Sequence, residues 1–176
     1  MKTYQGTRGQ NDTAAAVTVQ DACAASPLAA RRQLRNHSRD GFEWGYAGSG
    51  PSQLALAILA DHFGPGRERL ATALYVDFKF AVVARLPHDG WTLTAEQIGQ
   101  ELCRLATENE AHFWDRVIGA LDAELFEAAI VATGKDPEPP ELQAAAVRII
   151  TPGFAIGEDY ARRLVADYYA REGQPQ

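Results

Sequence analysis

The chain has 176 residues, of which 46% are hydrophobic and 23% charged, so we expect most of it to fold rather than to stay disordered. Its formal net charge of -6 argues against a protein that coats nucleic acid, because phosphate binding needs a basic surface. Cys23 and Cys103 are far apart in sequence and predict reduced thiols rather than a disulfide framework or a zinc site.

Neither the N-terminus nor any later segment carries a long apolar run. A membrane-spanning helix needs roughly 18 uninterrupted apolar residues, and a secretory leader needs an apolar segment after its basic start. We therefore expect a protein of the bacterial cytoplasm that makes no contact with a membrane.

Short strands are predicted in the first third of the chain. Short alternating or apolar runs predict strands at 3–6, 16–19, 21–24 and 42–46. In the last of these, Phe42, Trp44 and Tyr46 would share one face, since alternate side chains of a strand point the same way. Together with the helices that follow, these strands predict an α+β fold, in which a small antiparallel sheet packs against several helices.

Helices are predicted after residue 50. Apolar residues at helical spacing favour helices over 51–63, 68–86, 94–130 and 156–168. Thr94 and Gln97 form a capping box at the start of the third helix, which we expect to be broken near Glu108 and Asn109.

The shift from strands to helices predicts the domain organisation. A core domain over 1–98 would carry the glycine-rich segment described next, and a mostly helical extension over 99–176 would contain a proline-rich linker at 134–140. Apolar stripes on the helices exceed what a small sheet can cover and predict a homodimer or higher homo-oligomer. Their members are Leu121, Leu125, Ile130, Tyr160, Leu164 and Tyr168.

The glycine-rich segment, residues 41–51, combines four glycines with three aromatic residues and leads into the first predicted helix. Pro51 suits the first helical position, with Gly50 or Ser49 as the cap and Gln53 placed to close a capping box. The free amides at this helix end would favour an anion, because the positive end of the helix dipole lies there. The alternative is a structural turn, in which the glycines serve only tight geometry.

An arginine-rich segment precedes the glycines in this otherwise acidic chain. It contains Arg31, Arg32, Arg35 and Arg39, interleaved with Asn36, His37 and Ser38. Arginine binds phosphate through paired hydrogen bonds, so Arg31, Arg35 and Arg39 are candidate counter-charges for a phosphorylated ligand, with His37 as a further donor. The alternative is a solvated surface.

The helix end and the aromatic residues complete the predicted ligand site. Ser49, Gly50 and Ser52 would hold the phosphate, and Trp44 or Tyr46 would stack on a base of the ligand. The alternative for the aromatic residues is that they fill a small core. We interpret Trp91 and Trp114 as packing residues.

No catalytic motif is complete. Gly45 and Gly50 have the spacing of a P-loop, but the lysine that should follow them is missing. Ser49 lacks the flanking glycines of a nucleophile elbow, and the pair His88 and Asp89 lies in a turn without further ligands at metal-binding spacing. We therefore predict no catalytic residue, metal or cofactor.

The segments RNHS at 35–38, GFEWGY at 41–46 and GSGPSQLALAIL at 48–59 form a distinctive motif. It resembles that of an uncharacterised family of small domains common in phages, plasmids and bacterial mobile elements. The resemblance covers about 1–98, with Ala47 in place of an expected glycine. It implies no activity, only a mobile-element setting and a shared site at the glycine motif.

Two hypotheses for the function follow. The first is a phage or mobile-element protein that binds and sequesters a small phosphorylated nucleotide-type host signal without catalysis. The second is an acidic protein that inhibits a host defence protein or nucleoprotein by direct binding. Its acidic residues would be Glu101, Glu108, Glu110, Asp115, Asp122, Glu124 and Glu127. An enzyme that acts on a phosphorylated ligand is a third alternative.

Overall fold

The computed structural model describes residues 2–9, 15–22, 24–108 and 110–172. Within these ranges the strands are β1 Thr3–Thr7, β2 Ala16–Asp21, β3 Ala24–Pro27 and β4 Gly90–Thr94. The helices are α1 Ser49–Phe63, α2 Glu68–Ala81, α3 Ala95–Glu108, α4 Glu110–Thr133, α5 Pro139–Gly153 and α6 Glu158–Glu172. A short 3-10 turn, Val83–Arg85, follows α2. The predicted α+β fold is thus confirmed.

The four strands form one antiparallel sheet in the order β3-β2-β1-β4. Strand β4 was missed by the sequence analysis, although Trp91 and Leu93 alternate with polar residues and are buried. Gly6 of β1 is paired with Trp91, and a Cβ atom at Gly6 would lie 2.3 Å from the indole ring. The close packing of Trp91 on the sheet therefore requires glycine at this position.

Two strand predictions are corrected. The third strand lies at Ala24–Pro27 rather than at 21–24, and Cys23 falls outside the described residues. No strand is present at 42–46, which belongs to the loop before α1. The central strand β1 already pairs with β2 on one side and β4 on the other, so the aromatic segment has no place beside it.

The helix predictions hold best where local signals set the helix ends. The capping box is confirmed, since the amide of Thr94 donates to Gln97 Oε1 at 2.8 Å and the amide of Gln97 donates to Thr94 Oγ1 at 3.1 Å. Helix α2 ends at Ala81, earlier than predicted. The break after Glu108 is present, with Asn109 outside the described residues.

The proline-rich linker is shorter than predicted. Pro139 and Pro140 are the first residues of α5, so only 134–138 connects the helices. Proline is tolerated in the first turn of a helix, because the amide hydrogen that it lacks has no partner within the helix there.

One hydrophobic core runs through both predicted domains. Helix α1 lies within it, buried from Gly50 to Ala60. Phe113 of α4 and Phe154, which follows α5, are buried in the same core, and Phe154 stacks on Phe63 of α1 with ring centroids 5.7 Å apart. The core is therefore continuous across residue 98.

Glu124 of α4 connects the extension to α2. Its Oε1 accepts a hydrogen bond from the amide of Arg69, in the first turn of α2, and the Arg69 guanidinium pairs with Glu127. Burial raises the pKa of Glu124, although its bond to the backbone opposes this. A carboxylate from one helix thus caps the N-terminus of another.

His62 connects α1 to α5 and makes stability depend on pH. Its Nε2 lies 2.9 Å from the carbonyl oxygen of Gly153, so Nε2 is the nitrogen that carries hydrogen. Burial lowers the pKa of His62 below its usual 6.5. The hydrogen bond to Gly153 and the charge of Asp61 raise this pKa, while the charge of Lys2 lowers it further. His62 is therefore protonated more readily in the unfolded chain than in the folded one. As the pH falls below about 6.5, this difference lowers the free energy of unfolding.

We expect His62→Gln to remove this dependence, because glutamine can still donate to Gly153 but does not titrate. Urea unfolding at several pH values between about 7.5 and 5 would measure it. The free energy of unfolding of the variant should improve relative to the unaltered protein as the pH falls. A difference that stays constant over this range would contradict the prediction.

Candidate functional site

The glycine-rich segment is a loop that places its aromatic residues in different environments. Gly41 and Gly45 adopt φ angles of 113° and 83°, which favour glycine because side chains with a Cβ atom are strained there. Phe42 and Trp44 are buried, whereas Tyr46 is 50% exposed. The predicted common aromatic face is therefore wrong.

Trp44 belongs to the core. Its indole Nε1 donates to the carbonyl oxygen of Pro87 at 2.9 Å, and its ring meets Trp91 edge to face with centroids 5.6 Å apart. The guanidinium of Arg8 lies 4.6 Å above the Trp44 ring and pairs with Glu43 at 2.6 Å. Trp44 is 1% exposed and its Nε1 is hydrogen-bonded within the protein, so its ring is not accessible for stacking on a ligand.

The start of α1 differs from the prediction. Gly48 is the N-cap residue, and no side chain caps the helix. The Ser52 hydroxyl donates to the Gly48 carbonyl oxygen at 2.8 Å, which commits that side chain internally. Gly50 is buried beneath Glu43, because a Cβ atom at Gly50 would lie 2.5 Å from the Glu43 Cβ.

The structure places the three residues of the predicted phosphate seat, Ser49, Gly50 and Ser52, in different environments. Ser49 is exposed, but the other two residues are buried, and the side chain over them belongs to an acid that pairs with Arg8. The Glu43 carboxylate makes no capping bond to α1, but an acidic group is favourable near a helix N-terminus. Arg8, which holds this acid, carries no signal in the sequence that would have identified it.

Gln53 holds the arginine-rich segment against α1. This side chain is fully buried, and its Oε1 accepts hydrogen bonds from the amides of His37 at 2.7 Å and Ser38 at 3.3 Å. Its Nε2 donates to the carbonyl oxygen of Ala30 at 2.6 Å. Gln53 is thus not part of a capping box. It joins the two ends of the segment that contains the arginines.

The middle of this segment packs on Tyr75 of α2. Arg35 donates from Nη1 to the Tyr75 hydroxyl at 3.2 Å, and the His37 ring lies 5.0 Å from the Tyr75 ring. Burial lowers the pKa of His37, and the positive charges of Arg35 and Lys79 lower it further. The fold therefore brings Lys79, which the sequence analysis missed, to the predicted arginines.

The remaining arginines lie along the same segment. Arg32 donates from Nη2 to the carbonyl oxygen of Arg39 at 2.9 Å, which ties the two positions together. Arg31 has a φ of 52°, in the left-handed region that residues with a Cβ atom rarely adopt. Its backbone carbonyl accepts from the amide of Leu34 at 3.0 Å, in a turn. Strain of this kind recurs at binding sites.

We call this group the arginine surface. Its members are Arg31, Arg32, Arg35, His37, Arg39, Tyr75 and Lys79. Two of its nitrogen atoms, Arg31 Nε and His37 Nε2, are buried without a hydrogen-bond partner. Buried polar atoms are normally paired, so each of these two nitrogens has an unused capacity for a hydrogen bond.

The arginines of the arginine surface also stand outside the ion pairs of the chain. In the described part of the chain, none of its four arginines pairs with a carboxylate. Six arginines elsewhere do so, namely Arg8, Arg69, Arg104, Arg116, Arg162 and Arg171, whereas Arg67, Arg85, Arg148 and Arg163 make no ion pair with a described residue. Beside Lys79, the Phe80 ring is 52% exposed, with the ammonium group 4.0 Å from its centroid.

The acidic residues of the extension are largely paired within the chain. Arg104 binds Glu101 and Glu108, and Tyr169 donates to Asp122. Asp115 pairs with Arg171, while Glu124 and Glu127 bind the start of α2. The side chain of Glu110 lies outside the described residues. The bonds to Asp122 and Glu124 come from neutral donors and leave these carboxylates charged, so the extension keeps an excess of acids over basic residues.

The apolar stripes of the extension are mostly covered by the chain itself. Leu121 is fully buried, and Leu125, Leu164 and Tyr168 pack against the core. Ile130 remains 38% exposed near the end of α4, together with Phe126 and Val131. The homo-oligomer stays a prediction.

The described residues contain no helix with the length and apolar character needed to span a bilayer. The same ranges hold no group of three or more histidine, cysteine, aspartate or glutamate residues placed to bind one metal ion.

The model of a family of unknown function, DUF6166, matches residues 4–104 of the chain. The matched part contains the glycine-rich loop, α1, α2 and the arginine surface, whereas α4, α5 and α6 lie outside it. No curated protein and no solved structure matches the chain. The expectation of a domain of unknown function in the first part of the chain is confirmed, and its setting in phages or plasmids stays a prediction.

Proposed function

This chain belongs to the family of unknown function DUF6166, and we propose that it binds a small phosphorylated ligand of nucleotide type at the arginine surface, without catalysis. The observation that supports this most is the charge distribution. In a chain of net charge -6, the arginine surface keeps four arginines free of acids, while the described arginines that pair with acids lie elsewhere.

The chemistry of the arginine surface suits a phosphate group. Arg35 and Arg39 can each donate two parallel hydrogen bonds to phosphate oxygens, and Lys79 adds a point charge. The buried nitrogens Arg31 Nε and His37 Nε2 would gain acceptors from the same ligand. Gln53 holds these donors in place before the ligand arrives, which lowers the entropy cost of binding.

The exposed Phe80 ring gives this site a reason to favour nucleotides over free phosphate. A base could stack on it while the phosphate meets Lys79, which already lies against that ring. Phe80 thus takes the stacking role that the sequence analysis gave to Trp44 or Tyr46. In a phage or mobile-element setting, such a ligand would be a host signal that the protein sequesters.

The second hypothesis, an acidic inhibitor of a host defence protein, receives less support. Four of the acids that it relies on, Glu101, Glu108, Asp115 and Glu127, pair with arginines of the same chain, and exposed pairs of this kind contribute little to binding.

Thermal unfolding with a panel of mononucleotides, cyclic nucleotides and inorganic phosphate tests the proposal. A ligand at a hundred times its dissociation constant should stabilise the fold by about 2.7 kcal/mol. We expect Arg35→Gln combined with Arg39→Gln to weaken binding at least about tenfold, since charge-assisted hydrogen bonds contribute about 1.5–3 kcal/mol each.

The control changes two arginines outside the arginine surface, Arg104→Gln with Arg171→Gln, and so alters net charge equally. It should leave binding unchanged. An absence of any shift across the panel, or equal weakening in both double variants, would contradict the proposed site. Recovery of the ligand in altered chemical form would show catalysis instead of sequestration.

A further inference from the structure

A second basic cleft lies where α5 meets the turn between α1 and α2. Its volume is about 370 Å³, and it shares no residue with the arginine surface. Its ionisable lining residues are Lys2, His62, Arg67 and Arg148. The other walls are apolar or small, including Phe63 and Ile149.

Positive charge prevails in this cleft. No carboxylate lines it, and the neighbouring Asp61 is paired with Lys2, whose Nζ lies 3.0 Å from Asp61 Oδ2. Arg67 and Arg148 make no ion pair with a described residue. The C-terminal ends of α1 and α5 each contribute roughly half a negative charge. The charged lining of the cleft is thus cationic, while the nearby acids, Asp61 beside Lys2 and Glu124 near Arg67, lie outside the lining.

His62 lines this cleft and has one ring nitrogen without a partner. Its Nε2 is bound to the Gly153 carbonyl, and its Nδ1 is buried without a hydrogen-bond partner. In the neutral ring, Nδ1 accepts a hydrogen bond. A ligand that suits the cleft therefore carries both negative oxygens for the arginines and one O–H group for His62. Hydrogen phosphate has this combination.

We propose that the cleft binds a small phosphate-type oxyanion, with Arg67 and Arg148 holding the negative oxygens and His62 accepting from the O–H group. His62 and Arg67 lie in the part of the chain that the family model matches, whereas Arg148 belongs to α5 outside it. The bound anion would thus join the extension to the core domain. This site is independent of the proposed function at the arginine surface.

Thermal unfolding in sodium phosphate, compared with sodium chloride of equal ionic strength, tests this inference. Phosphate should raise the unfolding midpoint of the unaltered protein. We expect Arg67→Gln or Arg148→Gln to raise the phosphate concentration needed for this effect by about tenfold, the loss expected for one charge-assisted bond. Lys135→Gln, an equal change of charge in the linker, should have no effect.

Two further measurements separate the alternatives. Arg35→Gln should preserve the phosphate effect, so its loss there would assign the anion to the arginine surface. In NMR titrations, phosphate should shift the ring signals of His62, a change that a purely structural role of the arginines would not produce. If the arginine variants lower the midpoint equally in phosphate and in chloride, or if phosphate has no effect, the inference is overturned.

Discussion

Replacing Trp44 by alanine is expected to lower the free energy of unfolding by about 3–5 kcal/mol, a large part of the total for a domain of this size. Trp44 is 1% exposed, and its removal would leave a cavity beside Trp91 and two carbonyl groups without their donor. The Arg8 guanidinium would also lose the ring beneath it. Urea unfolding followed by circular dichroism measures the change.

Tyr46→Ala is the matched control, since both residues belong to the same predicted aromatic set. Tyr46 is half exposed, and its replacement should change stability by no more than about 0.5 kcal/mol. Trp44→Phe should lose an amount of stability between those of Trp44→Ala and Tyr46→Ala, because it keeps a ring but loses the bond to Pro87. A stable Trp44→Ala protein that no longer binds nucleotide would instead support the stacking role predicted from the sequence.

Gln53→Leu is expected to lower the free energy of unfolding by about 3 kcal/mol, because it leaves buried backbone groups without partners. It should also weaken ligand binding at the arginine surface. Leucine is similar in size, so the change removes three hydrogen bonds with little loss of packing. Without them the segment from Ala30 to Ser38 loses its attachment to α1. Denaturation and nucleotide titration of the same sample would show both effects.

Gln100→Leu on the exposed face of α3 makes the same chemical change at a position where little should happen. If Gln53→Leu does not fold, Gln53→Glu provides a milder test, since a carboxylate still accepts from His37 and Ser38 but cannot donate to Ala30. Unchanged nucleotide affinity in a folded Gln53 variant would show that the arginine surface does not depend on this clamp.

Local signals explain which parts of the fold could be predicted. The capping box of Thr94 and Gln97 involves residues three apart, so it can be identified from the sequence alone. The alternation of Phe42, Trp44 and Tyr46 is equally compatible with a loop that turns two rings inward and one outward. Strand pairing decided between a strand and a loop at 42–46, because β4 rather than this segment pairs with β1.

The candidate site was predictable only in part. The arginines are neighbours in sequence, and their excess over acids is visible there. Their contacts with Tyr75 and Lys79 depend on α2, which lies far along the chain. The covering of Gly50 by Glu43 and the buried bonds of Gln53 are tertiary contacts, for which no spacing rule exists.

The chain has three tryptophans, and all are buried. Trp44 and Trp91 touch each other beside the sheet, whereas Trp114 packs against Phe113 and Phe154 in the helical part. Intrinsic fluorescence therefore monitors both parts of the molecule at once. Because one core joins these parts, the emission of Trp114 and that of the other two indoles should shift to the red together as the protein melts.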